Sequence, residues 1–435
     1  MQATAPVFVV NHRRTGVAAL NVLTAALDVD PRTAGTEVVF AKSRAELVAA
    51  IRAASARGAK AVCGWSFYST DFAEMTAELA AVRAETSDVD VLHLAGGSHA
   101  SAEPEQTLAA GFDLVAQGEG ETTVVEFFSA LREGRDPRVV RGIAHLQGGR
   151  FVSSGPGERR ELDAFPAFNV RHRQMNPIEI TRGCIYACSF CQTPFLFKAR
   201  FRHRSVENVR AHVDVLRASG GKYVRFVSPT AFSYGSEDES VNLDAIEKLL
   251  RSVREGIGPD AEVFFGTFPS EVRPEHVTDE VLELVLRFAD NRSLVIGGQS
   301  GSDAVLRATH RGHDAASVER AVRVAVRHGF RPDVDFLFGL PEERAEDRAE
   351  SVRLAEKLVS LGARIHNHSF LPLPGTPLKD GSPSRLEPSV VRSLSVLQAR
   401  GDLYGTWRAQ LVRGEDLVRQ RERARLDRAR TRSRT

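Results

Sequence analysis

The chain has 435 residues, with 58 lysines and arginines against 56 aspartates and glutamates, for a formal charge of +2. That balance carries no global sign of a nucleic-acid-binding protein, and four cysteines in so long a chain exclude a disulfide scaffold. A hydrophobic content of 42% is ample for sizeable cores, and at roughly 150 residues per domain the length suggests two or three domains.

Residues 7–10 are a continuous apolar run and predict a buried strand, followed by a helix over 17–27. Further strands are expected at 37–40, 61–66, 90–95 and 114–116, with a second helix over 43–56. The fourth strand ends in Gly96-Gly97, and the fifth leads into Gly118-Glu119-Gly120-Glu121. This alternation predicts a doubly wound parallel sheet over residues 1–130, of the kind that binds ligands at the carboxyl ends of its strands. Residues 131–170 read as a connector with a hairpin at 143–146 and 150–152. From residue 177 alternation resumes, with strands expected at 177–181, 223–227, 262–267, 294–297, 333–338 and 364–370. Six such units over 171–385 fit a partial (β/α)6 barrel of the TIM type, whose sites lie at the carboxyl ends of the strands. Residues 386–435 read as a helical, arginine-rich tail. From Arg419 onward eight arginines face only Glu422 and Asp427, a pattern of a solvated helix or frayed end, with recruitment of RNA or an acidic partner as the sharper alternative. No stretch is apolar enough to span a membrane, and residues 1–6 lack a signal-peptide pattern. Free thiols fit a reducing cytoplasm.

Three of the four cysteines fall in one run, Cys184-Ile185-Tyr186-Ala187-Cys188-Ser189-Phe190-Cys191. The spacing C-x3-C-x2-C lets one tight loop offer three thiolates to one iron–sulfur cluster. A four-iron cluster wants four ligands, so one iron is left open for a small molecule. A structural zinc site would want a fourth Cys or His at regular spacing, and His203 lies past a long aromatic stretch. Cys63 sits mid-strand among apolar residues, where a free cysteine behaves as a small hydrophobe.

The cysteine run, with the aromatic Phe190 before its last member, resembles the cluster loop of radical S-adenosylmethionine (SAM) enzymes. The glycines at the strand ends of residues 1–130 resemble the cobalamin-binding domain that often precedes such a barrel. Together they identify a cobalamin-binding-domain radical SAM enzyme, and the resemblance covers roughly residues 6–380. It implies a [4Fe-4S] cluster on Cys184, Cys188 and Cys191, and SAM contacts from Phe190, Ser228, Thr230, Gln299, Ser300 and Arg311. Cobalamin contacts are implied for Arg13, Ser66, Gly96, Gly97, Gly118 and Glu119. Many cobalamin domains carry D-x-H-x-x-G after the first strand, and its histidine ligates cobalt. Here Asn11-His12-Arg13-Arg14-Thr15-Gly16 puts Arg13 in that slot, and a guanidinium has no lone pair to give. His12 is one place off, and His99 matches a structural loop position. His366 and His368 share one strand face, but with His310 and no carboxylate at close spacing they read as hydrogen-bonding groups of a cavity rather than metal ligands. Tyr186 and Tyr234 read as packing residues at the barrel mouth, with an acid or hydrogen-bond donor as the alternative.

The resemblance implies a methyltransferase acting on an unactivated carbon through a 5′-deoxyadenosyl radical, supplied with electrons by a donor such as flavodoxin or ferredoxin. Cobalamin-dependent rearrangement or cyclisation is one alternative. The barrel motifs also resemble the methylthiotransferases that modify transfer RNA, but those hold a second cluster on three N-terminal cysteines, and here only Cys63 is available. The substrate is not legible.

Overall fold

The computed structural model describes residues 5–13, 16–175 and 177–432. The chain divides after Met175 into two compact units.

The first unit is a seven-stranded sheet flanked by helices. Its five parallel strands run in the spatial order Glu37–Ala41, Val7–Asn11, Ala61–Ser66, Val91–Gly96, Leu114–Ala116. The first strand is apolar on both sides because it is covered on both sides. Val7 and Val9 pack with Leu47, Ile51, Leu79 and Val82 from the helices Arg44–Ala56 and Phe72–Glu85. Phe8 and Val10 face the other way, toward Leu20, Leu27, Phe127 and Phe128 of the helices Val17–Val29 and Glu121–Arg132. Ser43 starts the second helix by accepting from the Glu46 amide. The hairpin expected within a connector is part of the sheet itself. Strand Ile143–Gln147 pairs antiparallel with Leu114–Ala116, and Arg150–Ser153 closes the edge. Ile143 and Ala144 are fully buried, so this strand finishes the core that a three-residue fifth strand leaves open.

The second unit is built from parallel strands that alternate with helices. Ile178–Glu179, Tyr223–Val227 and Glu262–Phe264 form one run. Ser293–Gln299, Arg331–Phe338, Arg364–Ser369 and Leu403–Tyr404 form a second. A parallel bridge between Val272 and Ile296 joins the two runs. The expected strands are present with shifted ends, and Leu403–Tyr404 is an addition within the segment read as a wholly helical tail. Two residues carry too little period to be seen as a strand. The arginine-rich end is also more than a solvated helix. It belongs to a helix, Trp407–Arg432, whose Trp407 is 1% exposed. Arg421 donates to the carbonyls of Lys379 and Gly381, and Arg425 pairs with Asp380 at 2.5 Å. Among the described residues no helix is long and apolar enough to cross a membrane.

Candidate active site

The cysteine loop leaves the first barrel strands through Gly183. Its positive φ of 83° and the Arg200 carbonyl, 2.2 Å from where a Cβ would sit, leave room only for glycine. The loop folds back on itself through the Cys188 carbonyl, which accepts from the Cys191 amide at 3.0 Å. Cys184, Cys188 and Cys191 pack together with Tyr186, Phe190 and Phe201. They form one wall of a cavity of about 490 Å³.

The rest of the wall comes from the ends of other strands. Ser228 and Thr230 follow the strand Tyr223–Val227, and both line the cavity. Gln299 reaches it through an irregularity in its strand. The register shifts between Ile296 and Gln299, and Gln299 sits at φ 70°, a left-handed conformation uncommon outside glycine. Arg311 lies opposite, 8% exposed, donating from Nη2 to the Gly297 carbonyl at 2.6 Å and from Nη1 to Cys188 Sγ at 3.3 Å. A Cβ at Gly297 would stand 3.0 Å from that guanidinium, so the glycine admits the arginine.

Ser300 does not reach the cavity. It is 1% exposed and its Oγ bonds Ser351 Oγ at 3.0 Å while accepting from the Ser302 amide. The shift that turns Gln299 inward turns its neighbour toward the helix Ala345–Ser360, so Ser300 fixes that helix rather than a ligand. His310 is exposed in a left-handed turn. Tyr234 is buried and donates to the Arg204 carbonyl at 2.7 Å, a packing role. Tyr186 lines the cavity, with its hydroxyl 3.2 Å from His276 Nε2 and the Arg273 guanidinium 3.5 Å over its ring.

The charged groups here are strongly perturbed. Burial pushes the Cys184 thiol up to about 11, opposed by the Tyr186 amide and reinforced by charge on Cys188 and Cys191. Burial works against the Arg311 cation, but Cys188 and Glu271 more than offset it and its pKa rises. Glu271 is exposed to the cavity, and desolvation there with the nearby charge of Asp335 pushes its carboxyl up to about 8. Asp335, 2% exposed, is pushed up to about 7 chiefly by desolvation. A hydrogen bond joins the two carboxyls. Glu271, Asp335 and Gln410 were missed by sequence reasoning. No local motif flags them, because each meets the site only through the barrel's closure.

Strand ends of the first unit bring a second set of residues together. Ser66 and Gly96 are direct register partners on adjacent parallel strands. Gly97 starts a short helix at φ 92°, and a Cβ there would meet the Phe67 carbonyl at 2.8 Å and Ser66 Oγ at 3.1 Å. Gly118 donates its amide to Ser101 Oγ at 2.9 Å, and the Glu119 carboxylate lies 3.6 Å from Arg159. Arg13 is held by Glu78 at 2.9 Å; Arg14 and Thr15 lie outside the described residues. Neither candidate histidine is free on both nitrogens. His12 Nε2 is 2.9 Å from Asn21 Oδ1. His99 is 3% exposed, stacked on Phe72 at 4.2 Å, with Nδ1 3.1 Å from Ser69 Oγ. Burial lowers its pKa to about 4, so it is neutral. Its Nε2 and the nearby Ser98 Oγ have no hydrogen-bond partner among the described residues.

A barrel with three gathered thiols and a cationic arginine on one of them, preceded by a parallel sheet with glycine-lined strand ends, defines a class. Residues 178–355 match the radical SAM superfamily and residues 18–128 match the B12 binding domain. The chain belongs to the radical SAM superfamily and carries a B12 binding domain ahead of its barrel. An uncharacterized methyltransferase of Pyrococcus horikoshii is 25% identical over 289 residues, 63% of this chain and 60% of that protein. A tRNA-2-methylthio-N(6)-dimethylallyladenosine synthase of Shewanella denitrificans is 28% identical over 262 residues, 56% of this chain and 52% of that one. The chain thus spans about half to three fifths of the length of these curated relatives. In fold it resembles the radical S-adenosylmethionine methyltransferase TsrM of Kitasatospora setae, solved with cobalamin and a [4Fe-4S] cluster bound. The TM-score is 0.67 at 19% identity, over 87% of this chain and 74% of that one.

The two domains imply a [4Fe-4S] cluster, SAM and cobalamin. The residues present fit them. Three thiols on one wall form a donor set for iron, and burial raises the pKa of two of them, Cys184 and Cys191. Arg311 Nε and Ser189 Oγ, both buried, have no hydrogen-bond partner among the described residues. In the first unit, the unpartnered Ser98 Oγ follows the Gly96-Gly97 strand end.

Proposed function

We propose that the chain is a cobalamin-dependent radical SAM methyltransferase acting on an unactivated carbon. The observation that carries the reading is the three-cysteine wall facing Gln299, Ser228, Thr230 and Arg311 across one cavity, in a chain that also holds a B12 binding domain. When bound, the cluster and SAM supply a hydrogen-abstracting 5′-deoxyadenosyl radical and the cobalamin supplies the methyl group. Cys184, Cys188 and Cys191 hold the cluster. Arg311 balances charge on Cys188 and keeps a donor on the cavity side. Ser228, Thr230, Gln299 and Phe190 position SAM, and the low exposure of Arg311, Ser228 and Thr230 keeps water from its reacting end. Ser66, Gly96, Gly97, Gly118 and Glu119 form the strand-end edge for cobalamin, with Arg13 near it. A reductant of the flavodoxin or ferredoxin kind is needed. The transfer-RNA methylthiotransferase reading lacks support, because Cys63 is the first unit's single cysteine and is 0% exposed in mid-strand.

The test is anaerobic incubation of the reconstituted protein with SAM, cobalamin and a reductant, followed by mass analysis. 5′-Deoxyadenosine is the expected product, joined by S-adenosylhomocysteine once substrate is present. Absence of both from a protein with a full complement of iron and sulfide defeats the reading.

A further inference from the structure

Asp335 and His366 are direct register partners on the strands Arg331–Phe338 and Arg364–Ser369. His368 stands two residues along, on the same face. The three present one ligand atom each to a common point. His366 Nδ1 lies 2.8 Å from Asp335 Oδ1, His368 Nε2 lies 3.2 Å from His366 Nδ1, and His368 Nε2 lies 3.9 Å from Asp335 Oδ1. Ligand atoms bound at about 2.0–2.2 Å stand roughly 3 Å apart around one ion, so the triangle has the size of a coordination face. The sequence hid it because the carboxylate is 31 positions from its nearer histidine.

Hydrogen bonding alone does not satisfy this triangle. The Ser369 amide donates to Gln410 Oε1 at 2.9 Å, which turns Gln410 Nε2 toward His368 Nδ1 at 3.3 Å. Nδ1 is then the acceptor, and His368 carries its proton on Nε2, aimed at His366 Nδ1. That atom has one place for a proton or a lone pair. As acceptor it serves His368 and sets its lone pair beside that of Asp335. As donor it serves Asp335 and meets the His368 proton head on. A proton on Asp335 Oδ1 aimed at His366 puts two donors on one lone pair, and a proton shared with Glu271 instead leaves the two lone pairs facing. Among the described residues Asp335 makes no ion pair with lysine or arginine, although it is 2% exposed. One cation at the centre receives a lone pair from all three groups. The His368 proton then moves to Nδ1, and Gln410 Oε1, which keeps a second lone pair beside the one the Ser369 amide uses, can shift toward it as the outer partner that metal-bound histidines require. Tyr404 holds the His366 ring from behind, stacked at 4.5 Å and 8°.

We propose that Asp335, His366 and His368 bind a first-row divalent cation, zinc or iron(II), at the side of the cavity. Two imidazoles and a carboxylate suit these ions rather than calcium or magnesium. Asp335 and His368 both line the cavity, so the open coordination positions face it. The ligand they would take is an oxygen or nitrogen donor of the substrate, such as a carboxylate, hydroxyl or amine. The site is separate from the three thiols and does not depend on the methyltransferase reading.

The test uses zinc alone. Tag-free, full-length protein with its cluster loaded is dialysed anaerobically against zinc chloride, gel-filtered, and analysed for zinc, iron and sulfide. About one zinc per chain is expected on top of unchanged iron. His366→Ala, His368→Gln and Asp335→Asn should each lose it while keeping iron and sulfide, with thermal melting confirming the fold. Should His366→Ala fail to fold, the other two carry the test. Gln410→Leu should weaken zinc affinity about tenfold. Zinc absent from folded wild type, or equal in wild type and variants, overturns the proposal and leaves a proton-sharing network or a substrate ammonium pocket. Zinc gained at the expense of iron places it on Cys184, Cys188 and Cys191 and overturns it equally.

Discussion

The two units handle buried polarity in opposite ways. In the first, burial holds two histidines neutral inside the sheet's core. Burial lowers His93 to about 4, and its Nδ1 accepts from Trp65 Nε1 at 3.2 Å; His99 is neutral for the same reason. What this unit offers at its strand ends is mainly backbone, exposed by glycines. In the second, Arg311, Glu271, Asp335 and His368 crowd one cavity, and several are pushed far from their ordinary pKa. Perturbed groups gathered in a cavity mark a place where charge is handled. Glycine-edged strand ends mark a place where a large flat ligand can lie against the main chain. One unit is arranged to hold and the other to react.

The largest effect that can break this contrast is at the cysteines. Cys184→Ala, Cys188→Ala or Cys191→Ala should each abolish the brown cluster absorbance and all SAM cleavage. Cys63→Ala should leave both intact, since burial raises that thiol out of reach of ionisation and it packs as a hydrophobe; its cost is stability alone, about 1 kcal/mol. Cluster loss in the Cys63 variant would give the first unit a chemical role and collapse the distinction.

A second measurement asks whether the first unit holds cobalamin without a side-chain nitrogen on cobalt. Arg13 is ion-paired and has no lone pair, His12 is bonded to Asn21, and His99 is buried against Phe72. Paramagnetic resonance of the Co(II) form should therefore lack nitrogen superhyperfine splitting. A nitrogen triplet that disappears in His12→Ala or His99→Ala would mean that this unit, too, does its work with side chains.

How much of this was legible follows from how local each feature is. The cysteine loop spans eight residues, so spacing alone exposed it. The strands of the first unit were clear because both faces are apolar, and Gly96-Gly97 sat where a strand visibly ended. The cavity was half legible: Ser228, Gln299 and Arg311 follow strands in recognisable loops. Glu271, Asp335 and Gln410 were not, since they meet His366 and His368 only after distant strands and the helix Trp407–Arg432 come together. Ser300 failed for a subtler reason. A register shift at Gln299 reverses which neighbour faces inward, and periodicity cannot register a bulge of one residue.

A smaller effect sharpens the claim that the second unit stores strained ionisation. Glu343 is 5% exposed, and desolvation raises its carboxyl to about 7, although the Gly339 amide and Arg348 favour the charged form. The folded state therefore binds this proton more tightly than the unfolded state does. Its stabilising contribution is complete below about pH 4.5 and is lost as pH rises toward 7, by at most about 3 kcal/mol. Chemical denaturation of wild type and Glu343→Gln across that window should show the variant with the flatter pH dependence. Parallel slopes would mean the carboxylate is ionised and satisfied in the fold.

The smallest effects are expected at the arginine-rich end, and they separate two arginines four positions apart. Arg421 is only part-exposed and donates to two main-chain carbonyls, of Lys379 and Gly381. Losing it leaves acceptors in the turn after Pro374-Gly375-Thr376, beside the cavity-lining Leu373, so Arg421→Ala should cost about 1 kcal/mol. Arg425 pairs with Asp380 while both side chains are more than half exposed. Such a pair is worth roughly 0–1 kcal/mol and is screened by salt, so Arg425→Ala should be close to neutral, and any cost should fade as salt is raised. Truncation after Arg425 should leave cluster content and SAM cleavage unchanged, because Trp407 and Leu417, the anchors of this helix, precede the cut. If truncation instead lowers only substrate turnover, and salt reproduces the loss in the intact chain, the terminal arginines recruit an anionic substrate or partner. A cost larger for Arg425→Ala than for Arg421→Ala would show that charge rather than main-chain capping ties this helix to the barrel.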